Sequence, residues 1–231
     1  MTNRIAVIVL LLGLGGVFAN LLMGYVPDAD LNRSGAYYAQ HTAAETGSAN
    51  VVTAIIVTYR GLDTLGEVTV LFLTAAILGL ALALESRPQA APRPPSGELL
   101  TTGSRLLAPL IVLFGVYVFL NGHLTPGGGF QGGAILASAT LLLLLTDPLK
   151  KFGHGLISRV ESGSGFFYVS IGVLGMVLAG GFLDNRILPL GTFGSLLSAG
   201  AIPLIYSLIG LKVGAEFSSM LANLADTEER K

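Results

Sequence analysis

The chain has 231 residues, 52% of them hydrophobic and 12% charged, with a mean hydropathy of +0.72 and a formal net charge of −1. A charged share about half that of a soluble domain, with the shortage concentrated in long uncharged runs, marks an integral membrane protein. Near neutrality gives no electrostatic reason to expect nucleic acid or an anionic surface as a partner, and the absence of cysteine excludes thiolate-held iron–sulfur clusters, disulfides and cysteine nucleophiles.

A helix needs about 17 to 25 apolar residues to cross the hydrocarbon core. Six segments qualify in chain order: 5–26, 65–84, 106–121, 129–146, 166–183 and 195–215. The first follows Arg4 but is longer than a signal-peptide apolar region and lacks a small-x-small exit before Tyr25 and Pro27, so a retained helix is expected. With the N-terminus inside, six crossings put Arg4, Arg87, Arg93, Arg105, Lys150, Lys151, Arg159, Arg230 and Lys231 on the cytoplasmic side, and only Arg33 and Arg186 in outer loops. The expected fold is therefore an all-α polytopic membrane protein of about six transmembrane helices, with both termini inside.

Between the first two spans, residues 49–59 of "ANVVTAIIVTYRGLDTLGEVTVLF" form an apolar segment only about 16 Å long as a helix. It is too short to cross and is expected as an interfacial or re-entrant helix. Arg60, Asp63 and Glu67 follow at spacings of three and four, one face of a continuous helix. Glu67 has two compatible readings. In "TLGE", Thr64 would cap the helix while Glu67 reaches back to its backbone. Alternatively, an ionised group inside the bilayer costs roughly 2.5–3.5 kcal/mol on insertion scales and so marks an ion or proton pathway.

The stretch 86–104, "SRPQAAPRPPSGELLTTGS", reads as an extended, solvated cytoplasmic linker. It divides a two-helix part, 1–85, from a four-helix part, 105–220, which a charged tail, 221–231, follows. Between the third and fourth spans lies "NGHLTPGGGFQGG", residues 121–133. His123, Pro126, Gly127 and Gly128 suit a tight reversal, and Gly128/Gly132 and Gly129/Gly133, flanking Phe130, have the spacing that lets helix backbones approach closely. No phosphate-binding signature accompanies these glycines. In the last span, Pro203 is expected at mid-helix, kinking it and freeing a carbonyl. Lys212 and Glu216 are an i,i+4 pair near the cytoplasmic end, read as a snorkelling pair or as part of a relay. His41, His123 and His154 are expected in loops and form no opposed pair to hold a haem.

Two stretches carry a resemblance. Residues 105–220, through "NGHLTPGGGFQGG", resemble the B subunit of Mrp-type sodium/proton antiporters and its counterpart in membrane-bound hydrogenases. Residues 1–85, through "NVVTAIIVTYRGLDTLGE", resemble the small C-terminal module of the A subunit of the same antiporters and its separate hydrogenase counterpart. The resemblance implies a multi-pass subunit of the cell inner (plasma) membrane, without a cofactor. Its partners would be large antiporter-like subunits, small C-, F- and G-like subunits and lipid, and the complex would exchange Na⁺ for H⁺ alone or coupled to a redox arm related to respiratory complex I. It also implies that Glu67 is the acidic residue of ion translocation, with Asp63 and Arg60 as its flanking motif. A freestanding transporter would carry inverted repeats, which are not visible here. A scaffold between ion-conducting subunits would use the glycine-rich faces equally well. An enzyme would need a nucleophile, metal cluster or cofactor motif, and none appears.

Overall fold

A computed structural model describes residues 2–26, 30–84, 96–146 and 154–229, and among them every regular element is helical. Six helices are long and apolar enough to cross a membrane. In chain order the elements are α1 (Thr2–Gly24), α2 (Arg33–Thr46), α3 (Val51–Ala54), a π-helical turn (Ile55–Tyr59), α4 (Gly61–Leu84), α5 (Glu98–Leu120), α6 (Gly129–Thr146), α7 (His154–Leu178), a 3₁₀ turn (Asn185–Ile187) and α8 (Ile202–Glu229). The chain divides into two compact units, residues 1–37 and 38–231. The first holds α1, apolar along its whole length, and the start of α2.

The second unit is built around α8, which packs on α4, α5, α6 and α7. Ile202, Ile205, Ile209, Val213 and Glu216 are all buried, a run of three- and four-residue steps that keeps one face of α8 inward. Val57 and Val68 reach the same core from the π turn and α4, and Tyr168 and Ile171 from α7. A Cβ added to Gly61 would lie 2.9 Å from Leu183, and one added to Gly79 would lie 3.2 Å from Asn223 Nδ2. The start of α4 therefore meets the segment just after α7, and the C-terminal part of α4 meets that of α8. Helices α4 and α8 run parallel and α7 runs against them.

Several expectations change. The fifth span extends further toward its N-terminus than 166–183, because Arg159, Glu161, Ser162 and Ser164 lower the hydropathy of a stretch that is nonetheless helical. The last begins at Ile202 rather than 195, since residues 188–201 turn repeatedly, with Ala199 at φ 63°. Pro203 is thus the second residue of α8 rather than a mid-helix kink; in a first turn its missing N–H costs no intrahelical bond. The mid-helix proline is Pro109, in α5. Helix α2 was not expected, and His41 lies in it; His154 opens α7. The last residues of the Pro-rich stretch, from Glu98, already belong to α5, while 85–95 lie outside the described residues.

Candidate functional site

The short apolar segment 49–59 becomes α3 followed by one π turn. Arg60 N–H donates to the Ile55 carbonyl five residues back at 2.7 Å, and Arg60 itself leaves helical geometry with φ −126° and ψ 36°. Single π turns recur at functional sites because the extra residue re-aims the side chains that follow. Here the chain restarts at once as α4. Arg60 Nε lies 2.6 Å from Asp63 Oδ2, both side chains more than half exposed. Glu67 follows one turn on, and Ile55, Ile56, Arg60, Asp63, Thr64 and Glu67 line an open groove.

The capping box is not formed. Thr64 lies inside α4, and its hydroxyl donates to the Ile56 carbonyl at 2.5 Å, fastening α4 to the π turn. Glu67 is therefore held in a continuous helix and turned to the groove.

The glycine-rich stretch is a stitched loop followed by a tightly packed helix. Gly127 and Gly128 adopt φ of 153° and 157°, which L side chains rarely reach. The His123 carbonyl accepts from Ala49 and Asn50 N–H, each at 3.0 Å, and from Ser48 Oγ at 3.1 Å. The Gly122 carbonyl accepts from Thr53 Oγ1 at 2.6 Å and from Asn50 Nδ2 at 2.9 Å, and Tyr206 of α8 donates to Thr53 Oγ1 at 3.2 Å. His123 is fully buried, with Nε2 3.2 Å from the Ser195 carbonyl. Burial pushes its pKa below the ordinary range, only partly opposed by the carbonyls of Ser195 and Leu120, and so favours the neutral imidazole.

Beyond the loop, a Cβ on Gly129 would lie 2.5 Å from Ile209, one on Gly133 2.7 Å from Val213, and one on Gly132 2.7 Å from the Gly115 carbonyl. The small faces of α6 thus press on α8 and α5 of this same chain, and the close packing read from the spacing is internal. Phe130 packs against the core cluster, and Pro126 sits exposed at the turn.

Lys212 and Glu216 do not snorkel. Their side chains are 12% and 0% exposed, with Lys212 Nζ 2.7 Å from Glu216 Oε1 and 5.0 Å from the centre of the Phe72 ring on α4. The Lys212 ammonium is thus the polar partner of a Glu216 carboxylate that the bundle otherwise encloses.

The polar residues that the sequence reading missed lie in two places. At the 3₁₀ turn beyond α7, Arg186 pairs with the nearly buried Asp184, Nε at 2.9 Å from Oδ1, and this guanidinium holds the carboxyl below the usual range. Asn185 Nδ2 ties the Thr46 and Ala199 carbonyls at 2.8 and 2.9 Å. Within α7, Glu161, Ser164 and Tyr168 stand at steps of three and four, a polar stripe that only the register of α7 reveals.

Apolar spans, a loop cluster stitched by side chain to backbone bonds, and an ion pair buried within the bundle define a polytopic helical membrane protein. The comparisons with known proteins agree. The family described as "Domain related to MnhB subunit of Na+/H+ antiporter" matches residues 99–219, and the family of the MBH E subunit matches residues 3–93. The chain belongs to the MnhB-related family and carries an MBH E-type region ahead of it. It is similar to a chain of the membrane-bound sulfane sulfur reductase, an archaeal respiratory membrane complex, with 40% identity, a TM-score of 0.83, and coverage of 97% of this chain and 98% of that one. It is also similar to a chain of the Mrp complex from Dietzia, with 25% identity and a TM-score of 0.78, over 97% of this chain and 26% of that one. The B subunit of the Na⁺/H⁺ antiporter of Bacillus subtilis is 41% identical over 81 residues, 30% of this chain and 57% of that protein. The chain thus spans a quarter of the Dietzia chain and just over half of the Bacillus protein. It is a membrane subunit of an Mrp-type antiporter module, related to part of a membrane-bound respiratory complex.

Proposed function

We propose that this chain is a non-catalytic transport subunit that passes ions, rather than only spacing the subunits that do. The observation that carries this reading is the face of Arg60, Asp63 and Glu67 opening on a groove, set by a π turn and backed by the core that holds the buried Lys212–Glu216 pair. A carboxylate near one end of a span can exchange ions with water, and a buried charged pair within the helix bundle is too costly to be bystander decoration. Glu67 is the ion-exchanging group, Asp63 and Arg60 tune its approach, and Lys212 with Glu216 is a second station deeper in the membrane. The transported ions are Na⁺ and H⁺. The partners are large antiporter-like subunits and small C-, F- and G-like subunits in the plasma membrane, with both termini of this chain inside. Residues 1–85 form the A-subunit-like module, 86–104 the linker, 105–220 the B-subunit-like domain and 221–231 the tail.

A redox-coupled parent is the second reading. It is favoured by the end-to-end match to a chain of an archaeal respiratory complex. Either parent makes the same demand on Glu67. Glu67→Gln keeps the size of the side chain but carries no titrating proton, so it is expected to assemble normally and to lose Na⁺-driven proton movement in everted vesicles. Transport at wild-type rate from wild-type amounts of complex would remove Glu67 from the path.

A further inference from the structure

Three helices meet along a seam where their charged and polar side chains line up by depth. The Lys212 ammonium lies against Phe72 of α4, and its stem is 3.5 Å from where a Cβ of Gly165 on α7 would stand. On that same face of α7, Tyr168 is one turn toward one end and Glu161 one turn toward the other, with buried Ser164 between them. Val68, the residue after Glu67, belongs to the same core cluster as Tyr168.

Because α4 and α8 run parallel and α7 against them, depth can be measured from one side of the membrane. A rise of about 1.5 Å per residue puts Glu67 about 9 Å from the start of α4. Tyr168 and Lys212 are both about 15 Å deep, Glu216 about 21 Å and Glu161 about 25 Å, counted from the end of α7 and the start of α8. The groups thus fall at four levels, roughly 4–6 Å apart along the membrane normal.

Two of these groups are buried. The Tyr168 hydroxyl, in a residue 1% exposed, has no hydrogen-bond partner among the described residues, whereas the fully buried Glu216 is held by the Lys212 ammonium, 2.7 Å from Oε1. Buried polar atoms are paired in the great majority of cases, so an unpaired hydroxyl beside a buried ion pair calls for water or a mobile proton between them.

We propose that Tyr168 and Glu161 of α7 join Lys212 and Glu216 of α8 in a hydrated proton relay along the α4/α7/α8 seam, running inward from Glu67. This rests on the assignment of Glu67 above. A proton leaving the Glu67 carboxylic acid is taken by a bridging water, which passes one of its own to the Tyr168 oxygen as the hydroxyl gives up its proton on the far side. That proton reaches the Lys212–Glu216 pair, and Glu216 releases it to Glu161. Each hop moves one H⁺ and restores the hydroxyl, so tyrosinate need not form and no electrons move. Nothing in this sequence requires the aromatic ring beyond its packing.

The test is Tyr168→Phe in the whole complex, because phenylalanine keeps the ring in the core cluster it shares with Ile171 and Val213 and removes only the hydroxyl. We expect unchanged amounts of complex, an unchanged melting temperature and a loss of Na⁺-driven proton movement of tenfold or more, with Glu161→Gln acting in the same direction. Wild-type transport in Tyr168→Phe at wild-type amounts overturns the relay. If Glu67→Gln is silent as well, the assignment of Glu67 fails with it; if Glu67→Gln abolishes transport, only the route through α7 is wrong. Should Tyr168→Phe not assemble, Ser164→Cys decides, since the chain has no cysteine of its own. Modification of that thiol by a small water-soluble methanethiosulfonate in the assembled complex supports a hydrated seam, and a thiol that stays unmodified overturns it.

Discussion

His123 is buried and neutral at the point where the glycine-rich loop is stitched to residues 48–53, and its protonation must work against that burial. Its folded pKa lies below the unfolded value of about 6.5, so between the two the unfolded chain binds more protons. The stability it contributes is fully present above about pH 6.5 and is lost as pH falls below that toward the folded value. Melting of the detergent-solubilised complex is expected to drop on acidification through this window and to flatten in His123→Gln; an equal slope in both would show that the imidazole does not matter. The Lys212–Glu216 pair gives a second expectation. Removing one member of a buried pair typically costs about 3–5 kcal/mol, whereas replacing both with apolar groups of similar volume is often neutral. Lys212→Met is therefore expected to lower the melting temperature markedly, and Lys212→Met with Glu216→Leu to recover most of it. A double variant no better than the single would mean that the pair is not coupled. That Glu67, Asp63 and Arg60 share one face was legible in the sequence, because their three- and four-residue spacing sits at the edge of an apolar run. The position of Tyr168 was not, because a tyrosine within a span reads as one more aromatic until the α7 register puts it on one stripe with Glu161 and Ser164.

Hydropathy located the helices and misjudged their ends for physical reasons. It measures transfer from water, so it under-reads α7, whose first turns carry Arg159, Glu161 and three serines yet gain their helix from backbone bonds and from packing on α8. It over-reads residues 195–201, which are apolar but held in turns by the Asn185 amide and the Leu190 carbonyl. The glycine pattern on α6 was read correctly as a close-packing face, but spacing alone cannot say whose helix is the neighbour. The structure answers with α8 and α5. Gly133→Leu would drive a side chain into Val213 and into the Gly210 carbonyl, 2.8 Å from where even a Cβ would stand, at a cost of about 1–3 kcal/mol or more for overpacking. The expected outcome is loss of the folded subunit itself, seen as rapid degradation or trypsin sensitivity of this chain. A stable, protease-resistant chain released from its complex would instead assign that face to a partner.

The two family regions of the chain are joined by more than sequence. Ser48, Asn50 and Thr53 from the MBH E-type region fasten to the carbonyls of Gly122, His123 and Thr125 in the MnhB-related region, and Tyr206 closes the same cluster. Meanwhile α4 packs on α8, with Phe72 beside Lys212, so Glu67 from one region and Lys212 with Glu216 from the other occupy one bundle. A scaffold would need the fastening but not the charges, since apolar side chains fill such a seam at lower cost. The central claim is therefore that this chain lies on the ion path, and proton movement per assembled complex tests it most directly. In everted vesicles driven by a Na⁺ gradient, with complex quantified on the same membranes, Glu67→Gln is predicted to abolish transport while leaving assembly intact. Wild-type transport per complex in that variant would contradict the claim and leave the chain a scaffold.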